Sequence, residues 1–187
     1  GGEAGCNHGQ GDERRTEDGA GTTAADPAVE RMVREGYLKM TENRPFSDPT
    51  SLLLTPDHYV LRLLHASGLD LAQFGRGREG GEPLPEAESR AAFRQFCAHW
   101  PVFRGTPMRY WFEAQAVDIF GVDVRPSAET ADQIYDTVQA WIDSPASRPR
   151  ALMEQFDIEV LATTDAPLDD LRHHSALREE GYARQVV

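Results

Sequence analysis

Ile158-Glu159-Val160-Leu161-Ala162-Thr163 is an apolar run of strand length, rich in branched side chains, in a chain otherwise dominated by helical spacing. It reads as a buried strand. Thr164-Asp165 follows its C-terminal end, Pro167 opens a helix carrying Leu168, Leu171 and Leu177, and Gly181 closes that helix before Arg184-Gln185-Val186-Val187. Strand, helix and a second strand in that order call for a parallel sheet, whose strands need neighbours on both sides and helices on both faces. The fold class expected is therefore α/β. The chain ends at Val187 before supplying such a sheet, so the expectation is an incomplete copy or a strand edge completed by another chain, a homo-oligomer included.

Upstream of this run the spacing is helical. Glu86 to Trp100 places Phe93, Phe96, Cys97 and Trp100 at three- and four-residue intervals until Pro101. Thr106-Pro107 then starts a helix with Met108, Trp111, Phe112, Ala116, Ile119 and Phe120 on one face and Gly121 as its stop. Ser127 to Asp143 presents Ala131, Ile134, Tyr135, Val138, Trp141 and Ile142, and a short helix begins near Pro149. Aromatic stripes of this kind are core before they are anything else.

The N-terminal third is weaker. Gly1 to Ala25 has almost no large apolar side chain and is expected to be a disordered arm, with residues 26–187 forming one folded unit. Asp26-Pro27 starts a helix of thin apolar face through Met40. Glu42 to Pro49 is a turn-rich connector, and Gly75 to Pro85, with four glycines and two prolines, is a mobile loop. Its Gly75-Arg76-Gly77 follows no strand, which rejects a nucleotide-binding reading.

Between connector and loop lies Thr55-Pro56-Asp57-His58-Tyr59, which has ionisable side chains at three consecutive positions. A threonine cap followed by proline marks a helix start, and the run to Gly68 is the helix it starts. His58 and Tyr59 then lie in the first turn, where unpaired backbone N–H groups favour an anionic ligand and the two side chains can shuttle protons. A surface or capping role is the plainer alternative.

Charge and cysteine content narrow the classes. With 19 basic and 31 acidic residues the net charge is −12, which repels phosphate backbones and anionic membranes, so no nucleic-acid or membrane partner is expected. Cys6 and Cys97 are too few and too far apart for a disulfide framework or a cysteine-built zinc site, and no apolar run reaches the ~20 residues of a membrane span. A cytoplasmic home is the expectation.

Four motifs in order carry a resemblance: Glu42-Asn43-Arg44-Pro45-Phe46, Leu54 to Tyr59, Phe103-Arg104-Gly105-Thr106-Pro107 and Leu161-Ala162-Thr163-Thr164-Asp165. Together they resemble uronate isomerase, also called glucuronate isomerase, over roughly Thr41 to Val187. The resemblance implies the metal-dependent amidohydrolase superfamily and a (β/α)8 barrel, of which this chain forms a part. Residues from about 86 to 143 become a helical insertion. It also implies hexuronate sugar acids as substrates, with D-glucuronate and D-fructuronate interconverted, and likewise D-galacturonate and D-tagaturonate. His58 is implied to orient the sugar acid, Tyr59 to assist proton transfer, and Asp165 to touch the substrate at the barrel mouth unless it caps the next helix. A divalent metal, zinc, is implied for the family. Its usual His-x-His occurs nowhere in this sequence, and Gly36-Tyr37-Leu38-Lys39-Met40-Thr41 stands in its place. The chain alone is therefore expected to be inactive. The alternative is a non-catalytic helical interaction module.

Overall fold

Prolines and acidic caps set most of the helix starts. The computed structural model describes residues 41–76, 83–162 and 168–182. The expected arm through Ala25, the helix to Met40, Asp165 and the strand at Arg184 to Val187 lie outside these residues. Asp48 accepts from the Ser51 N–H while Ser51 Oγ accepts from the Asp48 N–H, a reciprocal cap that starts α1, Pro49–Leu53. The connector thus ends in a helix start. α2 follows as His58–Ala66 and α3 as Glu86–Ala98, the latter with Glu86 and Glu88 at its positive end.

Pro107–Asp118 forms α4, Ala131–Ile142 α5, Pro149–Gln155 α6 and Arg172–Glu179 α7. α5 begins four residues later than the spacing expects, because Ser127 to Thr130 close a turn of their own through Ser127 Oγ and Thr130 Oγ1. α3 lies against both α1 and α5, and α2 against the 3-10 turns Leu71–Phe74 and Trp100–Phe103.

The core is aromatic. Phe96 has the rings of Phe112, Phe103, Trp100 and Phe93 around it at centroid distances of 5.1, 5.4, 5.5 and 5.7 Å. These are the tilted and edge-on separations that aromatic quadrupoles favour. Phe93 also meets Tyr135 edge-on at 5.5 Å, which joins α3 to α5. A second, small cluster is built on Met153 and Leu177, with Ile158 and Tyr182 packed at its margin.

Three expectations are corrected. Among the described residues no strand forms: Ile158 to Val160 are irregular and Leu161 makes a single bridge. A single bridge is not a ladder, and Val160 and Leu161 are exposed. The described residues are predominantly helical, and no sheet of an α/β fold forms among them. Pro167 does not open the last helix, which starts at Arg172 behind Leu171 in the left-handed region, φ 49°, leaving Leu168 and Leu171 exposed. Trp111, expected on the inner face of α4, is 51% exposed while Met108, Phe112 and Ala116 are buried.

Candidate functional site

The start of α2 is built differently from the Thr55-Pro56 cap expected. Asp57 is the cap, and its Oδ1 accepts from the N–H of Tyr59 at 2.9 Å and of Val60 at 3.1 Å. Aspartate outranks threonine at this position, and the Thr55 hydroxyl is engaged elsewhere. It donates to the carbonyls of Phe74 at 3.0 Å and Thr50 at 3.3 Å. Thr55 thereby ties the loop to the body. Two of the N–H groups expected to attract an anionic ligand, those of Tyr59 and Val60, are thus already paired with a carboxylate of the chain itself.

His58 and Tyr59 are the first two residues of α2, with ring centroids 4.0 Å apart and planes inclined by 35°. Both are exposed, Tyr59 at 54%, while Val60, Leu61 and Leu64 bury the opposite side of the helix. The backbone is fixed and the chemistry faces outward. The described structure brings these two predicted site residues together; Asp165, the third, lies outside it. His65, two turns along, is exposed with Nδ1 3.2 Å from the Leu69 carbonyl.

No three His, Cys, Asp or Glu side chains converge among the described residues as metal ligands would, so those residues do not fit a zinc centre. His173 and His174 are neighbours on α7. Burial, and then the adjacent Arg172, hold His173 below its ordinary value.

Sequence reasoning missed the polar bonds that seat this loop. Asp48 accepts from Ser89 Oγ at 2.5 Å, Ser89 Oγ lies 3.0 Å from the Tyr135 hydroxyl, and Thr50 Oγ1 donates to the Ser89 carbonyl at 2.7 Å. All four residues are buried. Their signal is in the sequence: Asp48-Pro49 is a cap followed by proline, and Ser89 falls four and seven residues before Phe93 and Phe96 on the inner face of α3. A cleft beside this network is lined by Ser47, Asp48, Leu84, Glu86, Tyr135 and Gln139, none of them a predicted site residue.

The family model described as glucuronate isomerase matches residues 34–187. The chain belongs to the glucuronate isomerase family. It is 52% identical over 149 residues to the uronate isomerase of Cutibacterium acnes, covering 79% of this chain and 31% of that protein. Against the uronate isomerase of Rhizobium meliloti it is 45% identical over 142 residues, covering 76% and 30%. The chain thus spans about a third of the length of these relatives. Among solved structures, glucuronate isomerase from Caulobacter crescentus superposes with a TM-score of 0.73 at 35% identity, over 88% of this chain and 37% of that one. Uronate isomerase from Thermotoga maritima superposes with a TM-score of 0.69 at 23% identity, which speaks for the fold alone.

Proposed function

We propose that this chain supplies the His58–Tyr59 wall of a uronate isomerase site, in a partial (β/α)8 barrel of which the described helices are the insertion and its surroundings. The substrates of that reading are hexuronates: D-glucuronate interconverted with D-fructuronate, and D-galacturonate with D-tagaturonate. The observation that carries it is the paired, outward-facing rings of His58 and Tyr59 on a capped helix, in a chain of this family. Asp165 is assigned to the same substrate.

Aldose–ketose isomerisation moves a proton between the first two carbons of the open-chain sugar. A phenol accepts and returns a proton at Tyr59 Oη, and the imidazole beside it holds a sugar hydroxyl or carboxylate by hydrogen bonds. The Tyr59 and Val60 N–H groups of α2 are not offered to the substrate carboxylate, since Asp57 already occupies them. The divalent metal of the family supplies polarisation of substrate oxygens where it is bound. Among the described residues no three ligands converge to hold it.

The purified 187-residue chain is expected to show no conversion of D-glucuronate, since the His-x-His of the family does not occur in its sequence. A coupled assay for the ketose decides this: conversion that Tyr59→Phe abolishes would overturn the expectation. Binding is the positive test. D-Glucuronate added to 15N-labelled chain is expected to shift the resonances of His58 and Tyr59 and to leave α5 unmoved, and an absence of shifts at that pair would end the reading.

One observation favours the second reading, a helical interaction module. α4 carries Tyr110, Trp111 and Val117 exposed opposite its buried Met108, Phe112 and Ala116, so it is apolar on two sides. Chromatography with light scattering separates the readings, a single defined oligomer supporting the module.

A further inference from the structure

The loop before α2 is fastened at both ends. Thr55 Oγ1 donates to the Phe74 carbonyl at 3.0 Å, and the Asp57 N–H donates to the Leu54 carbonyl at 3.0 Å, so the chain entering the helix is held to the buried body. Gly75, at φ 82°, lets the 3-10 turn end directly beneath Thr55, and a Cβ there would stand 3.6 Å from Thr55 Cγ2. At the far end Asp57 Oδ1 takes both the Tyr59 and the Val60 N–H. His58 lies between the carboxylate and the amides it accepts from. The cap fixes the backbone from which both side chains project, and their rings stand 4.0 Å apart.

We propose that Asp57 is a positioning residue for the His58–Tyr59 pair, acting through its cap geometry rather than its charge. It does not touch substrate. The proposal rests on the reading of that pair as a hexuronate-binding wall. Without the cap, the first turn of α2 frays and the two side chains sample separate rotamers, so the ligand must order them itself. Asparagine caps as well as aspartate, whereas alanine does not. The prediction therefore divides the two substitutions.

The test uses the full 187-residue chain, labelled for NMR, as wild type, Asp57→Ala and Asp57→Asn. The first readout needs no ligand: at a ring distance of 4.0 Å the His58 ring protons of wild type are expected to show a ring-current shift from Tyr59 and a cross-peak to it. Asp57→Ala is expected to lose both and to speed amide exchange at Tyr59 and Val60, while Asp57→Asn keeps them. A purely global effect is monitored at Phe96 and Tyr135, whose signals should be unchanged. The second readout is D-glucuronate titration, expected to weaken about tenfold in Asp57→Ala, the factor that a cap of about 1.4 kcal/mol represents, and to recover in Asp57→Asn. Persistence of the ring contact in Asp57→Ala overturns the proposal, as does failure of Asp57→Asn to restore it. Wild-type chain that binds no hexuronate overturns the functional reading alone, and the ring contact then decides the role of Asp57.

Discussion

Cys97 shows how a single position reports on the whole interior. Its side chain lies in the aromatic cluster of α3, and burial first, then the carboxylate of Asp132, push its thiol up to about 12. Only the thiolate attacks an alkylating agent, so Cys97 is inert near neutral pH on two counts, access and ionisation. In a Cys6→Ser background, iodoacetamide at pH 8 is expected to leave the native chain unmodified for hours and to label it within minutes in urea, as mass spectrometry would show. Rapid labelling under native conditions would mean that the α3 core opens far more often than its packing allows. His58 and Tyr59 present the opposite case: exposed side chains on a capped first turn.

Between elements, the contact of α3 with α5 is sealed by charge on its outer side. Arg90 lies over the Tyr135 ring at 4.2 Å with Nη1 2.8 Å from Asp136, and Arg94 forms a two-pronged pair with Asp132, both bonds 2.9 Å. The hydrogen bond from Arg94, with its charge and that of Arg90, holds the Asp132 carboxyl below the usual range. A lowered native value means that the ionised form is favoured by folding. Its contribution is complete above the unfolded carboxylate value of about 4 and is lost as pH falls through the lower native value. Asp132→Asn is therefore expected to be slightly less stable than wild type at pH 7 in urea, with the two midpoints converging as pH falls through the lowered native value. A gap that stayed constant with pH would show the loss to be packing. The spacing of Phe93, Phe96, Ile134, Tyr135 and Val138 made these two helices legible, because one buried face repeats with the helical period. The start of α2 was legible only in part: Thr55, Asp57 and Pro56 are all start signals, and which one caps depends on where the Phe74 carbonyl lies, a contact 19 residues away.

At the scale of the molecule, the family was legible from four short motifs, while the strand at Ile158 to Thr163 was not realised among the described residues. A strand is defined by its neighbours, and apolar content alone does not supply them. What the C-terminal part does have is the small cluster of Met153 and Leu177, closed by Arg150, which reaches Glu180 at 2.5 Å and the Thr41 carbonyl at 2.8 Å and lies 4.6 Å from the Tyr182 ring centroid. The large core instead unites α1 to α5 around Phe96. Two clusters of such unequal size should open at different free energies, the smaller first. Leu177→Ala removes one of the two buried side chains of that cluster among the described residues, and a buried leucine truncation costs about 2–5 kcal/mol, more than so small a cluster can absorb. The expected result is local: amide exchange across Arg172–Glu179 becomes rapid, whereas α3 and α5 keep their protection and the main thermal transition is unmoved. If exchange instead rises equally in α3, the two clusters unfold as one and the C-terminal helix is part of the principal core.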